Sequence, residues 1–91
     1  MGRVARHVRV TGRVQGVFFR AWARDEARSI GVAGWVRNCE DGSVEAHIEG
    51  EEADVQELIR RMRHGPPHAH VLDVNVTEAE ADRLERFDVR H

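Results

Sequence analysis

The sequence predicts an α+β fold of the ferredoxin-like type, a βαββαβ sandwich with two helices on one face of an antiparallel sheet. Two observations predict this class. Apolar residues recur at the helical period in two segments, and strand-like runs precede, separate and follow those segments. The chain has 91 residues, a length typical of one domain with one core. We therefore expect a single domain covering residues 1–91.

A strand and a helix are predicted first. Residues 6–11 alternate between apolar and polar side chains, which is the period of a half-buried strand. A helix is expected next, because four apolar residues follow at spacings of four, four and three. These four residues are Phe19, Ala23, Ala27 and Ile30. Gly31 marks the expected end of this helix.

The middle of the chain predicts a hairpin. Residues 34–38 and 43–49 are strand-like runs, and in the second run Val44, Ala46 and Ile48 share a face. The four residues between the runs end in Asp-Gly, a pair common in the turns of hairpins.

The second helix has the clearest boundaries. Acidic residues stand near its start and arginines near its end, as the helix dipole favours, and Gly65-Pro66-Pro67 ends it. Its apolar stripe consists of Val55, Leu58, Ile59 and Met62.

The last third of the chain predicts strands with an ambiguous segment between them. Residues 71–76 indicate a strand, and residues 87–90 indicate a short fifth strand. Thr77 with Glu80 resembles a capping box, so residues 77–86 are compatible with a third short helix or with a polar connection.

Composition restricts the function classes. The formal net charge of -2 gives no overall attraction to nucleic acid or to an anionic membrane. No apolar run approaches the roughly 20 residues of a membrane span. The single cysteine, Cys39, cannot form an internal disulfide, so we expect a cytoplasmic protein. All 14 basic residues are arginine, which GC-rich codons or an acidic, salt-adapted surface would each explain.

One segment has the features of an anion site. Residues 12–20 lie between the first strand and the first helix, where backbone amides and the helix N-terminus attract anions. Gly12 and Gly16 allow a tight loop, and Arg20 offers a planar fork to two phosphate oxygens. By spacing alone, the same residues are more typical of a plain turn followed by a solvated arginine.

These residues resemble a known signature. The acylphosphatase family has the pattern G-x-V-Q-G-V-x-F-R, and every specified position is matched, by Gly12, Val14, Gln15, Gly16, Val17, Phe19 and Arg20. A second family signature is similar to the hairpin, through Gly34, Trp35, Val36, Arg37, Asn38, Gly42, Ser43, Val44 and Gly50. The tail is similar too, with Pro67, Ala69, Val71, Val74 and then residues 87–90. The resemblance covers essentially the whole chain.

The resemblance implies hydrolysis of small acyl phosphates to a carboxylate and inorganic phosphate, without metal or cofactor. It implies that Arg20 and the loop amides hold the phosphate, and that the Asn38 amide positions the attacking water. The loop amides are those of Gln15, Gly16, Val17, Phe18 and Phe19. An amide side chain accepts no proton at neutral pH, so a phosphate oxygen of the substrate is the expected proton acceptor. The resemblance also favours a connection over a helix after Thr77.

Other interpretations remain beside this one. The same fold is compatible with a noncatalytic anion- or RNA-binding module, and a similar domain begins hydrogenase maturation factors that handle carbamoyl phosphate. Asn38 itself is also compatible with a hairpin residue that satisfies the turn. Three histidines near the two prolines, His64, His68 and His70, are expected to be solvated rather than metal ligands. We expect a monomer that contacts neither nucleic acid nor membrane.

Overall fold

Five strands and two helices build the fold. The computed structural model describes residues 2–91. Its elements in chain order are β1 (Arg3–Arg13), α1 (Phe19–Ile30), β2 (Ala33–Asn38), β3 (Val44–Glu51), α2 (Glu52–His64), β4 (His70–Glu78) and β5 (Phe87–Arg90). The predicted ferredoxin-like α+β class and the short fifth strand are confirmed.

The strands form one sheet in the order β4-β1-β3-β2-β5. The first four strands pair antiparallel, as predicted, whereas β5 pairs parallel to β2. The sheet is therefore mixed, because the chain leaves β4 at one edge and crosses to the other edge before β5 begins. This return places the end of β5 beside the end of β2, where Arg90 lies opposite Arg37.

The core lies between the sheet and the two helices. Alternate residues of β1 and β3 face the helices, including Val8, Val10 and Ile48, which are all fully buried. Helix α1 buries Phe19, Ala23 and Ala27, and α2 buries Val55, Leu58 and Met62. Burial of each large apolar side chain contributes about 1.5–3 kcal/mol, so the predicted stripes supply much of the free energy that fixes both helices.

The helix ends agree with the local signals. Gly31 adopts a left-handed conformation with φ 99° and donates its N–H to the carbonyl of Ala27 at 2.8 Å. At α2, Glu52 and Asp54 lie in the first turn, where the helix dipole favours acidic side chains. Within residues 2–91, neither helix has the length and apolar character that crossing a membrane requires.

The ambiguous segment is a connection. Residues 79–86 form neither helix nor strand, so the capping-box interpretation is wrong. The buried carboxylate of Glu49 explains this, since it accepts hydrogen bonds from the amides of Asp82 at 2.5 Å and Leu84 at 3.2 Å. Burial alone would raise the pKa of Glu49, but hydrogen bonds from His47 and these two amides outweigh it and lower the pKa. An ionised carboxylate therefore holds the connection against the sheet.

Candidate active site

The loop before α1 and the ends of β2 and β5 meet at one end of the sheet. They line a cavity of about 560 Å³. Gly16, Phe18, Arg20, Asn38 and His91 are among its walls. The fold thus brings together the two side chains that the family resemblance assigned to phosphate and to water, although they lie 18 positions apart in the chain.

Three of the predicted phosphate-binding residues before Arg20 line this cavity, namely Gly16, Phe18 and Phe19, whereas Gln15 and Val17 are not among its lining residues. Gly16 has φ 75° and Phe18 has φ 64°, both left-handed, and α1 begins directly afterwards. Phe18 provides no side-chain cap, and the first helical turn is closed by the bond from the Trp22 amide to the Phe18 carbonyl at 3.0 Å. Amides at a helix start have no acceptor within the helix. A left-handed residue followed by helical residues also turns successive N–H groups toward one point, so the segment is suited to hold an anion.

The Gln15 side chain fixes the position of this loop. Its Nε2 donates to the carbonyl of Cys39 at 2.8 Å and to the carbonyl of Ser43 at 2.9 Å. Both acceptors belong to the β2–β3 turn that follows Asn38. The family resemblance implies only a backbone contact for Gln15, and the side-chain hydrogen bonds that join the loop to the turn were not predicted.

We expect Gln15→Ala to loosen the loop against the turn. Losing two hydrogen bonds to backbone should reduce the free energy of unfolding by about 1–3 kcal/mol. The loss of loop position should also lower kcat/KM about tenfold. Urea unfolding and steady-state kinetics measure the two effects. An unchanged kcat/KM with reduced stability would show that the tie supports the fold but not the site.

Arg20 lies in the first turn of α1 and is half-buried. Its Nη1 donates to the backbone carbonyl of Arg90 at 3.3 Å and lies 3.3 Å from Nδ1 of His91. The contacts come from the last residue of β5 and from the residue that follows it. The end of the chain therefore holds Nη1 of the Arg20 guanidinium at the cavity. Both contacts are long, so a bound anion can replace them with stronger, charge-assisted hydrogen bonds.

Asn38 ends β2, and its side chain forms no hydrogen bond with any residue in the range 2–91. The turn is satisfied by other groups. Asp41 accepts hydrogen bonds from the amide of Ser43 at 2.9 Å and from its hydroxyl at 2.6 Å. The Cys39 amide donates to the Ser43 carbonyl at 2.8 Å. The structure thus contradicts the alternative in which Asn38 satisfies the turn, and it leaves the Asn38 amide available in the cavity.

A second cavity, of about 590 Å³, lies at the other end of α1. Arg3, Arg28, Arg83 and Arg86 are among its lining residues. Two of these arginines already donate to backbone carbonyls, Arg3 to Leu84 at 2.9 Å and Arg28 to Phe87 at 3.1 Å. The C-terminus of α1 also lies there, and its carbonyl ends disfavour anions. This cavity is consequently a poorer anion site than the one at the helix N-terminus.

One group of side chains has the composition of metal ligands. Within residues 2–91, His47, Glu49 and Asp82 are the only three such side chains with ligand atoms close together. His47 Nε2 lies 2.5 Å from Glu49 Oε2 and 3.8 Å from Asp82 Oδ2. Glu49 also accepts the two amide hydrogen bonds that hold the connection, so its oxygens already have partners. These side chains lie close together because they fix the connection to the sheet, and we assign them no metal.

Comparison with known proteins identifies the family. The family model described as acylphosphatase matches residues 6–89.

The chain belongs to the acylphosphatase family.

An acylphosphatase from Anaeromyxobacter sp. is 55% identical over 93 aligned residues, which cover 100% of both chains. The crystal structure of an acylphosphatase from Bacillus subtilis is similar with a TM-score of 0.94 and 37% identity, covering 97% of this chain and 99% of the other. Full-length HypF, solved in a phosphate- and nucleotide-bound form, is similar with a TM-score of 0.88 and 27% identity. That match covers 99% of this chain but 12% of HypF. The family resemblance predicted from the two signatures is therefore confirmed.

Proposed function

We propose that this chain, as an acylphosphatase, binds the phosphoryl group of an acyl phosphate in the loop of residues 15–20 and attacks it with a water that Asn38 orients. The amides of Gln15, Gly16, Val17, Phe18 and Phe19 and the guanidinium of Arg20 hold the phosphate. The products are a carboxylate and inorganic phosphate. One observation supports the proposal: three residues of the loop (Gly16, Phe18 and Phe19), Arg20 and Asn38 line one cavity, and the Asn38 side chain has no hydrogen bond within residues 2–91.

Electrostatics accounts for the binding step. Backbone amides and the N-terminus of α1 supply fixed partial positive charge, and Arg20 adds a full charge with a bidentate geometry. Phosphoryl transfer spreads negative charge over the equatorial oxygens, and donors that are already in place stabilise it without reorganising. These groups act without the charge of a divalent ion, so we propose that the reaction needs no metal or cofactor.

Asn38 orients the nucleophile. Its side-chain oxygen accepts a hydrogen bond from water, which directs a lone pair of that water toward phosphorus, opposite the leaving carboxylate. The water oxygen forms the new bond to phosphorus as the bond to the acyl oxygen breaks. The carboxylate leaves with the electron pair of that bond. The proton of the water passes to a phosphate oxygen, because neither an amide nor a guanidinium accepts a proton at neutral pH.

The open face of the sheet gives little support to the RNA-binding alternative. Trp35 stacks on His47 with ring centroids 6.1 Å apart. The guanidinium carbons of Arg37 and Arg90 lie 5.6 and 4.7 Å from the centroid of the Trp35 ring. The other tryptophan, Trp22, is partly buried against the core and makes an edge contact with Phe19. These contacts engage both indole rings within the protein, whereas recognition of single-stranded RNA needs aromatic faces that are open to bases.

A steady-state assay on benzoyl phosphate with EDTA present tests the proposal. We expect full hydrolytic activity in EDTA, because the chain's own amides and Arg20 neutralise the phosphate. Added magnesium or zinc should not raise the rate. Loss of activity in EDTA with recovery on adding either ion would show that the phosphate charge is neutralised by a metal instead.

A further inference from the structure

Phe18 combines two features that are unfavourable for a phenylalanine in a folded protein. Its side chain is 82% exposed, and its φ of 64° lies in the left-handed region, where a Cβ atom is crowded by the backbone. Within residues 2–91, Arg83 is the only other non-glycine residue with positive φ. Neither feature stabilises the fold. Unfavourable conformations of this kind cluster at functional sites, so we look for a role of Phe18 in the candidate active site.

The anion loop explains the backbone of Phe18 but not its ring. A left-handed residue immediately before α1 is what turns the amides at the helix start toward one point. Glycine adopts this conformation without crowding, as Gly16 does two residues earlier with φ 75°. The loop could therefore be built with glycine at position 18, and the phenyl ring needs a separate explanation.

The position of the residue supplies one. Phe18 lines the same cavity as Arg20 and Asn38. When the loop amides hold the phosphoryl group, the acyl group is attached to it through a single oxygen and must extend along the walls of this cavity. Val89 and Ala21 are further apolar walls. An acyl group that lies against the Phe18 ring would remove exposed apolar surface from water on both sides of the contact.

We propose that Phe18 is a specificity-determining residue, whose ring contacts the acyl group and favours substrates with an aromatic acyl group over those with a small aliphatic one. This inference rests on the proposed function. Offset or edge contacts between two aromatic rings are more favourable than contact with a methyl group, because they add ring electrostatics to a larger buried area. The ring acts through its contact with substrate, while the amide of the same residue belongs to the phosphate loop.

The test compares benzoyl phosphate with acetyl phosphate, which present the same phosphoryl group to the loop. We expect Phe18→Gly to lower the ratio of the two kcat/KM values about 5- to 10-fold, mainly through KM for benzoyl phosphate. Acetyl phosphate serves as the reference for any effect of the substitution on the loop itself. Phe18→Trp should keep the ratio near that of the wild type, since indole preserves an aromatic face. The melting temperature of Phe18→Gly should not fall, because glycine relieves the crowded backbone.

Leu72→Ala is the matched control. Within residues 2–91, Leu72 is the other exposed large apolar residue, at 73%, and it does not line the cavity. This substitution should leave the substrate ratio unchanged. If Phe18→Gly lowers both kcat/KM values equally, or if Phe18→Trp shows the ratio of the glycine variant, the specificity role is wrong. If the wild type hydrolyses neither substrate, the proposed function fails, and the inference fails with it.

Discussion

Arg20→Ala is expected to lose both phosphate binding and turnover. The variant removes the one full positive charge that the proposal places on the phosphoryl group, together with its two-pronged geometry. We expect kcat/KM for benzoyl phosphate to fall by about 1,000-fold or more, as for the loss of a key preorganised donor. Inhibition by inorganic phosphate should disappear as well. Steady-state kinetics and a phosphate inhibition series measure the two losses.

Two further variants sharpen this expectation. Arg20→Lys should remain badly impaired, because an ammonium keeps the charge but not the fork. Arg63→Ala, an exposed arginine on α2 that does not line the cavity, is the control for removing one positive charge. If Arg20→Ala had the same inhibition constant for inorganic phosphate as the wild type, the anion would have to bind elsewhere.

Asn38→Ala should separate binding from chemistry. The substitution removes the group that we propose to orient water but leaves the loop amides and Arg20 in place. We therefore expect kcat to fall about 100-fold or more. The inhibition constant for inorganic phosphate should stay near that of the wild type. Stability should be nearly unchanged, since the Asn38 side chain makes no hydrogen bond within residues 2–91.

Asn75→Ala is the matched control for this variant. Asn75 is an exposed strand residue whose side chain makes only a 3.4 Å contact with Asp73. This variant should behave as the wild type in both assays. A folded Asn38→Ala protein with a wild-type kcat would show that another group orients the water.

Periodicity predicted the helices well because their apolar stripes are what the core buries. The predicted α1 and α2 stripes coincide with the buried faces, although Ile30 and Ile59 at their margins are only partly buried. β5 was predicted with its observed bounds, whereas the four other strands were predicted too short. β1 covers Arg3–Arg13, whereas the alternating run covers only residues 6–11. The strand is longer because its backbone hydrogen bonds to β3 and β4 do not require alternating apolar and polar side chains.

The connection after β4 could not be derived from local rules. Thr77 and Glu80 satisfy the spacing of a capping box, yet the amides of Asp82 and Leu84 bind a carboxylate on β3, more than 30 residues away in the chain. Tertiary hydrogen bonds of this kind override a weak local preference. The parallel pairing of β5 has the same origin, since it depends on where this connection crosses the sheet.

The candidate site was predictable to the extent that the signatures name its residues. They identified Arg20 and Asn38, which the fold places at one cavity. The two bonds from the Gln15 side chain and the exposed ring of Phe18 were not predicted. Both depend on how the loop lies against the β2–β3 turn, and residue types alone do not determine that geometry.

The most direct test of the account is an amide-resolved NMR titration of the wild-type chain with inorganic phosphate in the presence of EDTA. We expect the largest shifts at the amides of residues 15–20, with a further change at the side chain of Asn38. Shifts concentrated instead around Arg3, Arg28 and residues 83–87, at the second cavity, would contradict it.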